Sequence, residues 1–272
     1  MTKKIIIFIT LFALTILPVQ IAFAVAAGDI TSGTKDWQEK YQTATSANAE
    51  GKVAALKELG KILIENRIQL LTNLQNSVNN MSVAKDQDKT DLIADISQNM
   101  VDLSTLRARM EAETTAESLK SDIREITETY KIYSVVAPRD LGESLVYRGR
   151  FILGKLKAIQ EKIQTFIDDK KAEGVDTATL EVSMKEVTNK LIDAESQMNI
   201  ALEKFKAMTP ANSATAKTSR AEGKVAMKKA KDDLNAAHIL LKEIVESLKT
   251  LPSASPLIAP TPSISPSITP AK

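Results

Sequence analysis

An all-α fold is what this 272-residue chain predicts: an elongated antiparallel helical bundle of coiled-coil character, about five long helices followed by a disordered C-terminal tail. Three observations carry the expectation. Apolar residues recur in alternating steps of three and four, which places one narrow buried stripe on each helix. Only two prolines, Pro138 and Pro210, fall between Val25 and Leu251. Aromatic residues are sparse, and no run alternates β-branched and polar residues as a half-buried strand does.

The chain opens with Lys3 and Lys4, an apolar run from Ile5 to Leu17, Pro18, and small residues at Ala22, Ala24 and Ala26. A positive end, an apolar core and small residues that fit a peptidase are the order of a secretory signal, assigned to residues 1–26. The 23 uncharged residues from Ile5 to Ala27 also suffice to span a bilayer, so the alternative is an uncleaved anchor with membrane contact through residues 5–27. Both readings export the rest of the chain, to the periplasm or envelope, the cell surface or the medium. No cysteine is present, which excludes disulfides, thiol catalysis and thiolate metal sites. The body, residues 27–251, must therefore be held together by packing.

The first helix is expected over 35–81, with Leu63, Ile64, Ile68, Leu70, Leu71, Leu74, Val78 and Met81 on a broad apolar face. The second is expected over 89–136, with Asp88 and Asp91 near its cap. Its stripe runs through Leu92, Ile96, Leu103, Leu106 and Met110, then Leu119, Ile123, Ile126, Tyr130 and Tyr133. Thr114 and Glu117 allow a fresh start inside it. Pro138 disfavours helix at Ala137, and Asp140 with Glu143 reads as a capping box opening a third helix to 172, along Ile152, Leu156, Ile159, Ile163 and Phe166. Gly149 falls in that helix where a neighbouring backbone approaches closely. Gly174 and Asp176 mark a turn before a fourth helix, 177–208, whose stripe is Leu180, Met184, Val187, Leu191, Ala194 and Met198. Thr209 and Pro210 suit the start of a fifth, 210–250, with Met227, Ala230, Leu234, Ala237, Leu241, Ile244 and Leu248 inward. A helix-turn-helix pattern at 64–110 recurs at 152–198, as heptads alone produce. From Pro252 to Lys272, thirteen of 21 residues are Pro, Ser or Thr, the composition of an extended, disordered spacer.

Without Lys3 and Lys4 the chain balances 34 basic against 34 acidic residues, which argues against nucleic acid as a partner. The charges are unevenly placed. Residues 85–128 hold eleven acids and six bases, whereas 204–231 hold eight Lys or Arg and one acid, Glu222. The basic stretch, with Lys217, Arg220, Lys224, Lys228 and Lys231, reads either as the complement of the acidic helix or as a docking face for an acidic polymer or lipid head groups.

Residues that could carry chemistry are few. His238 is the only histidine, and no nucleophile elbow accompanies it. The acids of DQDKTD, 86–91, miss the glycine a calcium loop needs at its sixth position, where Asp91 stands, and Ser97 replaces the bidentate glutamate. Glu111, Glu113 and Glu117 read as a solvated helix face. No phosphate-binding glycine loop occurs, so no cofactor, metal or catalytic activity is expected. The stretch YKIYSVVAPRDLGESLVYRGRF, 130–151, holds four of the eight aromatics outside the leader and reads as a helix joint. Tyr147, Arg148, Arg150 and Phe151 form a candidate interaction patch within it.

YKIYSVVAPR followed by a heptad helix, and AKDDLNAAHILLKEIVESLK near the end of the body, resemble exported all-helical bacterial proteins without assigned activity. The resemblance spans most of the body, implies export and an all-helical fold, and carries no site residues. The expected function is that of an exported structural or interaction protein, acting through helix-face contacts with a protein partner or with itself. The alternatives are a holdase-like chaperone outside the cytoplasm, for which Met184, Met198, Met208 and Met227 would serve, and a lipid-binding protein of amphipathic helices.

Overall fold

Six α-helices and two π-helical turns account for nearly all the described residues, and no strand occurs among them. The computed structural model describes residues 41–43, 46, 49–81 and 86–251. The leader, residues 1–26, and the Pro/Ser/Thr tail, residues 252–272, lie outside the described residues.

Helix α1, Ala49–Asn79, and α2, Asp86–Ala112, form an antiparallel hairpin. Gln75 Nε2 donates to Ser97 Oγ at 2.7 Å and Arg107 meets Glu65 at 3.4 Å, which fixes the register. The expected stripes of Leu63, Ile64, Leu71, Leu74, Val78 and Leu92, Ile96, Leu103, Leu106, Met110 are buried. Asp88 and Asp91 lie inside the first turns of α2, not ahead of it. Asp91 accepts from Gln87 Nε2 at 2.7 Å, and acids there are favoured by the helix dipole.

The helix expected over 89–136 is interrupted twice. At the first break Thr115 caps α3, Ala116–Arg124, by accepting from the Ser118 N–H at 3.2 Å. The second break consists of two π-helical turns, Glu125–Thr129 and Ile132–Val136, separated by Tyr130 and by Lys131 in the left-handed region at φ 44°. A π turn takes up an extra residue and rotates the side chains that follow. Ile132, Val135 and Val136 are consequently buried, while Tyr130 and Tyr133, expected on the stripe, are half-buried. Helix α4, Ala137–Ala172, starts three residues before the expected boundary. Pro138 sits in its first turn, where a missing N–H has no intrahelical partner to lose. Asp140 is therefore an interior residue and not a cap.

Helix α4 ends in a paired turn: Val175 N–H reaches Lys170 O at 3.1 Å and Gly174 N–H reaches Lys171 O at 3.0 Å, with Gly174 at φ 81°. Asp176 then accepts from Ala178 N–H at 3.0 Å to open α5, Ala178–Lys206. Helix α6, Ser213–Thr250, begins later than expected because Thr209 closes a separate turn, its Oγ1 accepting from Asn212 N–H at 3.2 Å.

The helices form two compact units. The first comprises the described residues up to Ser144 together with Lys204–Arg220, and the second comprises Leu145–Glu203 with Ala221 onward. The second unit is three helical segments in which α4 and α6 each run antiparallel to α5. Lys157–Glu195 at 2.7 Å and Gln160 Nε2 to Thr188 Oγ1 at 2.6 Å set the α4–α5 register, and Lys190–Asp233 at 3.0 Å sets that of α5 and α6. The α5 stripe is buried from Leu180 to Ala201, and Ala230, Leu234, Ala237, Leu241 and Ile244 are buried on α6. On α4 the buried row is Val146, Leu153, Leu156, Ile163 and Ile167. Ile152, Ile159 and Phe166 are half-buried on its flank, one position from where the stripe was expected.

Gly149 has no room for a side chain. A Cβ there would stand 2.6 Å from Met198 Sδ on α5 and 3.6 Å from Met227 Cε on α6. Gly154, one turn further, has nothing within 4 Å of such an atom. Gly149→Leu is expected to destabilise the protein by about 1–3 kcal/mol through overpacking. Gly154→Ala is expected to stabilise it by roughly 0.5–1 kcal/mol by restricting the unfolded chain. Urea denaturation of the two variants side by side distinguishes the positions, and opposite signs are required.

Candidate functional site

Each helix of the second unit buries one row, and the chemistry of its remaining faces differs. On α5 the flank with Glu181, Glu195 and Asn199 meets α4, and the flank with Lys190 meets Asp233 of α6. Between these flanks, pointing away from the core, lie Val182, Ile192 and Ile200 at 70, 56 and 40% exposure. At 1.5 Å per residue they are spread over about 27 Å of one helix face. Lys185, Asn189 and Ser196 stand among them. The α5–α6 flank carries a shallow polar groove of about 330 Å³, lined by Asp193, Ser196, Gln197, Lys229, Asp232 and Asp233.

The residues singled out in the sequence are dispersed. Tyr147 is only 3% exposed, so its ring belongs to the interior and not to a surface patch. Arg150 Nη2 donates to Asn199 Oδ1 at 2.9 Å, and Phe151 lies under the Lys155 ammonium at 4.7 Å. Arg148 is half-buried on the other flank of α4. Lys217, Lys224, Lys228 and Lys231 are exposed along one side of α6, with Arg220 half-buried among them. Lys217 and Arg220 belong to the first unit and the other three to the second. Among the described residues Lys217, Arg220, Lys228 and Lys231 form no ion pair. Of the acids of 85–128, Arg109 holds Asp122 at 2.7 Å and also Glu125, and Arg139 holds Asp95. His238 is half-buried, and burial, with Lys242 beside it, lowers its pKa. Met184, Met198 and Met208 are core residues. Among the described residues no group of three or more His, Asp or Glu is placed to hold a metal ion, and no helix is long and apolar enough to cross a membrane. Residues 5–27 lie outside the described residues.

The first unit contains buried charge that the sequence reading passed over. Arg67 occupies a stripe position of α1 between Ile64 and Leu71, where it is buried, donates to Leu63 O at 2.9 Å and stacks on the Tyr133 ring at 4.8 Å. Its place in the three-four stepping is the signal that would have found it. Burial lowers its pKa. Asp140 is wholly enclosed in the first turn of α4. Its Oδ1 accepts from Arg139 Nε at 2.7 Å, while Oδ2 makes no hydrogen bond. Burial pushes Asp140 up to about 7, against the pull of Arg139 and with help from the carboxylates of Asp95 and Glu143.

Comparison of the chain with protein-family models, with curated proteins and with solved structures returned no match.

The enclosed Asp140 couples folding to pH. Its folded pKa lies above the unfolded value, so its contribution to stability is fully present below about pH 4 and is lost as the pH rises through about 7. The loss from this group is of the order of 4 kcal/mol. Asp140→Asn removes the titration. Urea midpoints measured between pH 4 and 8 are expected to fall more steeply for the parent than for D140N, and parallel profiles would contradict the assignment.

Proposed function

We propose that the protein is an exported structural or interaction protein of the cell envelope or cell surface, working through helix-face contacts with a protein partner or a second copy of itself. The outward face of α5 supports this reading most directly. Val182, Ile192 and Ile200 expose aliphatic surface on a helix whose other faces are occupied by α4, α6 and the core. A partner helix laid along this face would cover all three, as helix-in-groove recognition does with anchors at helical spacing. The leader composition supports export, and the absence of disulfides is met by packed stripes. On this reading the protein is not an enzyme and binds no cofactor.

The test places a photo-crosslinking residue at position 192 of the full chain in its own cells, with sedimentation of the purified protein alongside. A discrete crosslinked product is expected, either a dimer or one partner. Val182→Glu with Ile200→Glu is expected to reduce it by roughly tenfold while the helical circular dichroism is unchanged, as loss of apolar anchors at about 1–2 kcal/mol implies. A monomer in sedimentation that gives no discrete product at position 192 would remove the proposal.

A further inference from the structure

The charges of the second unit are sorted by flank. On α4, Arg150, Lys157 and Lys171 reach toward α5, bonding Asn199, Glu195 and Glu181. Arg148, Lys155 and Lys162 follow one another at seven-residue spacing on the opposite flank, beyond the half-buried Ile152 and Ile159. On α6 the flank toward α5 carries Asp232 and Asp233. The opposite flank carries Lys224, Lys231 and His238 at seven-residue spacing, with Lys228 and Lys242 on the adjoining outward row.

These two basic flanks adjoin. Helices α4 and α6 are both antiparallel to α5 and therefore parallel to each other, and Met227 Cε, 3.6 Å from where a Cβ on Gly149 would stand, sets Gly149 and Met227 at about the same level. Counting from that level, the cations Lys224, Arg148, Lys231, Lys155, Lys162 and Lys242 are spread over about 27 Å, with His238, whose charged form burial and Lys242 disfavour, between Lys155 and Lys162. The acids within 148–162 and 224–242 are Glu161, which is exposed, and Asp232 and Asp233, which line the groove toward α5. Lys155, Lys162, Lys228, Lys231 and Lys242 are exposed.

We propose that the α4–α6 face of the second unit docks on a negatively charged lipid bilayer. Two parallel helices present their cations along a broad strip and not around a pocket. The polar groove of this unit lies on the opposite flank of α6 and is lined with aspartates, which would repel an anionic chain. A strip of cations whose attraction adds along its length matches a surface of many monovalent head groups, and such attraction is screened by salt over about 10 Å at 0.1 M. The α5 face points the other way, so this inference does not depend on the partner proposed for α5.

Vesicles of phosphatidylglycerol and phosphatidylcholine in equal parts, and of phosphatidylcholine alone, are sedimented with the full chain at low and moderate salt. Three proteins are compared: the parent, the variant Lys155→Glu, Lys228→Glu, Lys231→Glu, and the variant Lys61→Glu, Lys185→Glu, Lys229→Glu, which makes the same change in net charge elsewhere. The apolar run at residues 5–27 is common to all three. The parent is expected to prefer the anionic vesicles by at least about tenfold and to lose that preference in salt. The first variant is expected to lose it at low salt, and the second to retain most of it. Should the first variant fail to fold by circular dichroism, glutamine at the same three positions is expected to give an intermediate loss. Equal binding to both vesicle types, or an equal loss in both variants, overturns the proposal. So does capture of polyphosphate or an acidic peptide by a parent protein that leaves the vesicles untouched.

Discussion

The second unit depends on one constraint: each of its three helices has a single row of side chains narrow enough to be enclosed by the other two. The row changes size along its length. Near Gly149, whose missing side chain leaves room for Met198 of α5, the buried rows carry the small residues Ala194 and Ala201 of α5 and Gly223, Ala226 and Ala230 of α6. Toward the α4–α5 turn it becomes Ile163 and Ile167 against Leu180, Met184 and Val187, with Leu241 and Ile244 from α6. Large residues at one end and small at the other admit one register, since a slip of a turn would set large against large and leave voids elsewhere. The half-buried pair of Gln160 and Thr188 reinforces this, because any other alignment would leave the amide without its partner.

The first unit is organised differently. Its hairpin of α1 and α2 obeys the same stripe logic, but Arg67, Asp122, Asp140 and Glu143 are enclosed with the aliphatic residues. Buried ions seldom add net stability over an apolar replacement, and their demand for particular partners restricts how the chain can fold around them. The restriction is visible around the paired π turns. There the backbone accepts a left-handed lysine at position 131, whose ammonium is held by Pro210 O at 3.4 Å and by Ser213. A non-glycine residue in that region costs roughly 1–2 kcal/mol, which its surroundings must offset.

How far the sequence was legible follows from which physics was local. The three-four stepping identified every long helix and nearly every buried residue of α2 and α5, because periodic burial leaves a periodic trace. Turn chemistry at Gly174 and Asp176 was equally plain. The π turns were not, since no residue pattern announces a gained residue per turn, and without them Tyr130 and Tyr133 were placed on the wrong side of the stripe edge. Pro138 reads as a terminator in the sequence and stands in a first turn in the structure, an ambiguity intrinsic to proline. Buried charges are not legible from a stripe, because its three-four stepping marks burial and not polarity. Of the candidate surface residues, the lysines of α6 were legible as a row, whereas Tyr147 and Arg150 needed the positions of the other helices.

A chain with 36 bases and 34 acids would be expected to pass through an ion-exchange column with little retention. Segregation by flank changes that. The α4–α6 side presents a concentrated strip of cations, and the α5–α6 groove gathers Asp193, Asp232 and Asp233 on another side. An immobile charged matrix sees only the side turned toward it, so near neutrality the protein should be held by cationic and anionic resins alike. An isoelectric point alone would misjudge its behaviour at any charged boundary.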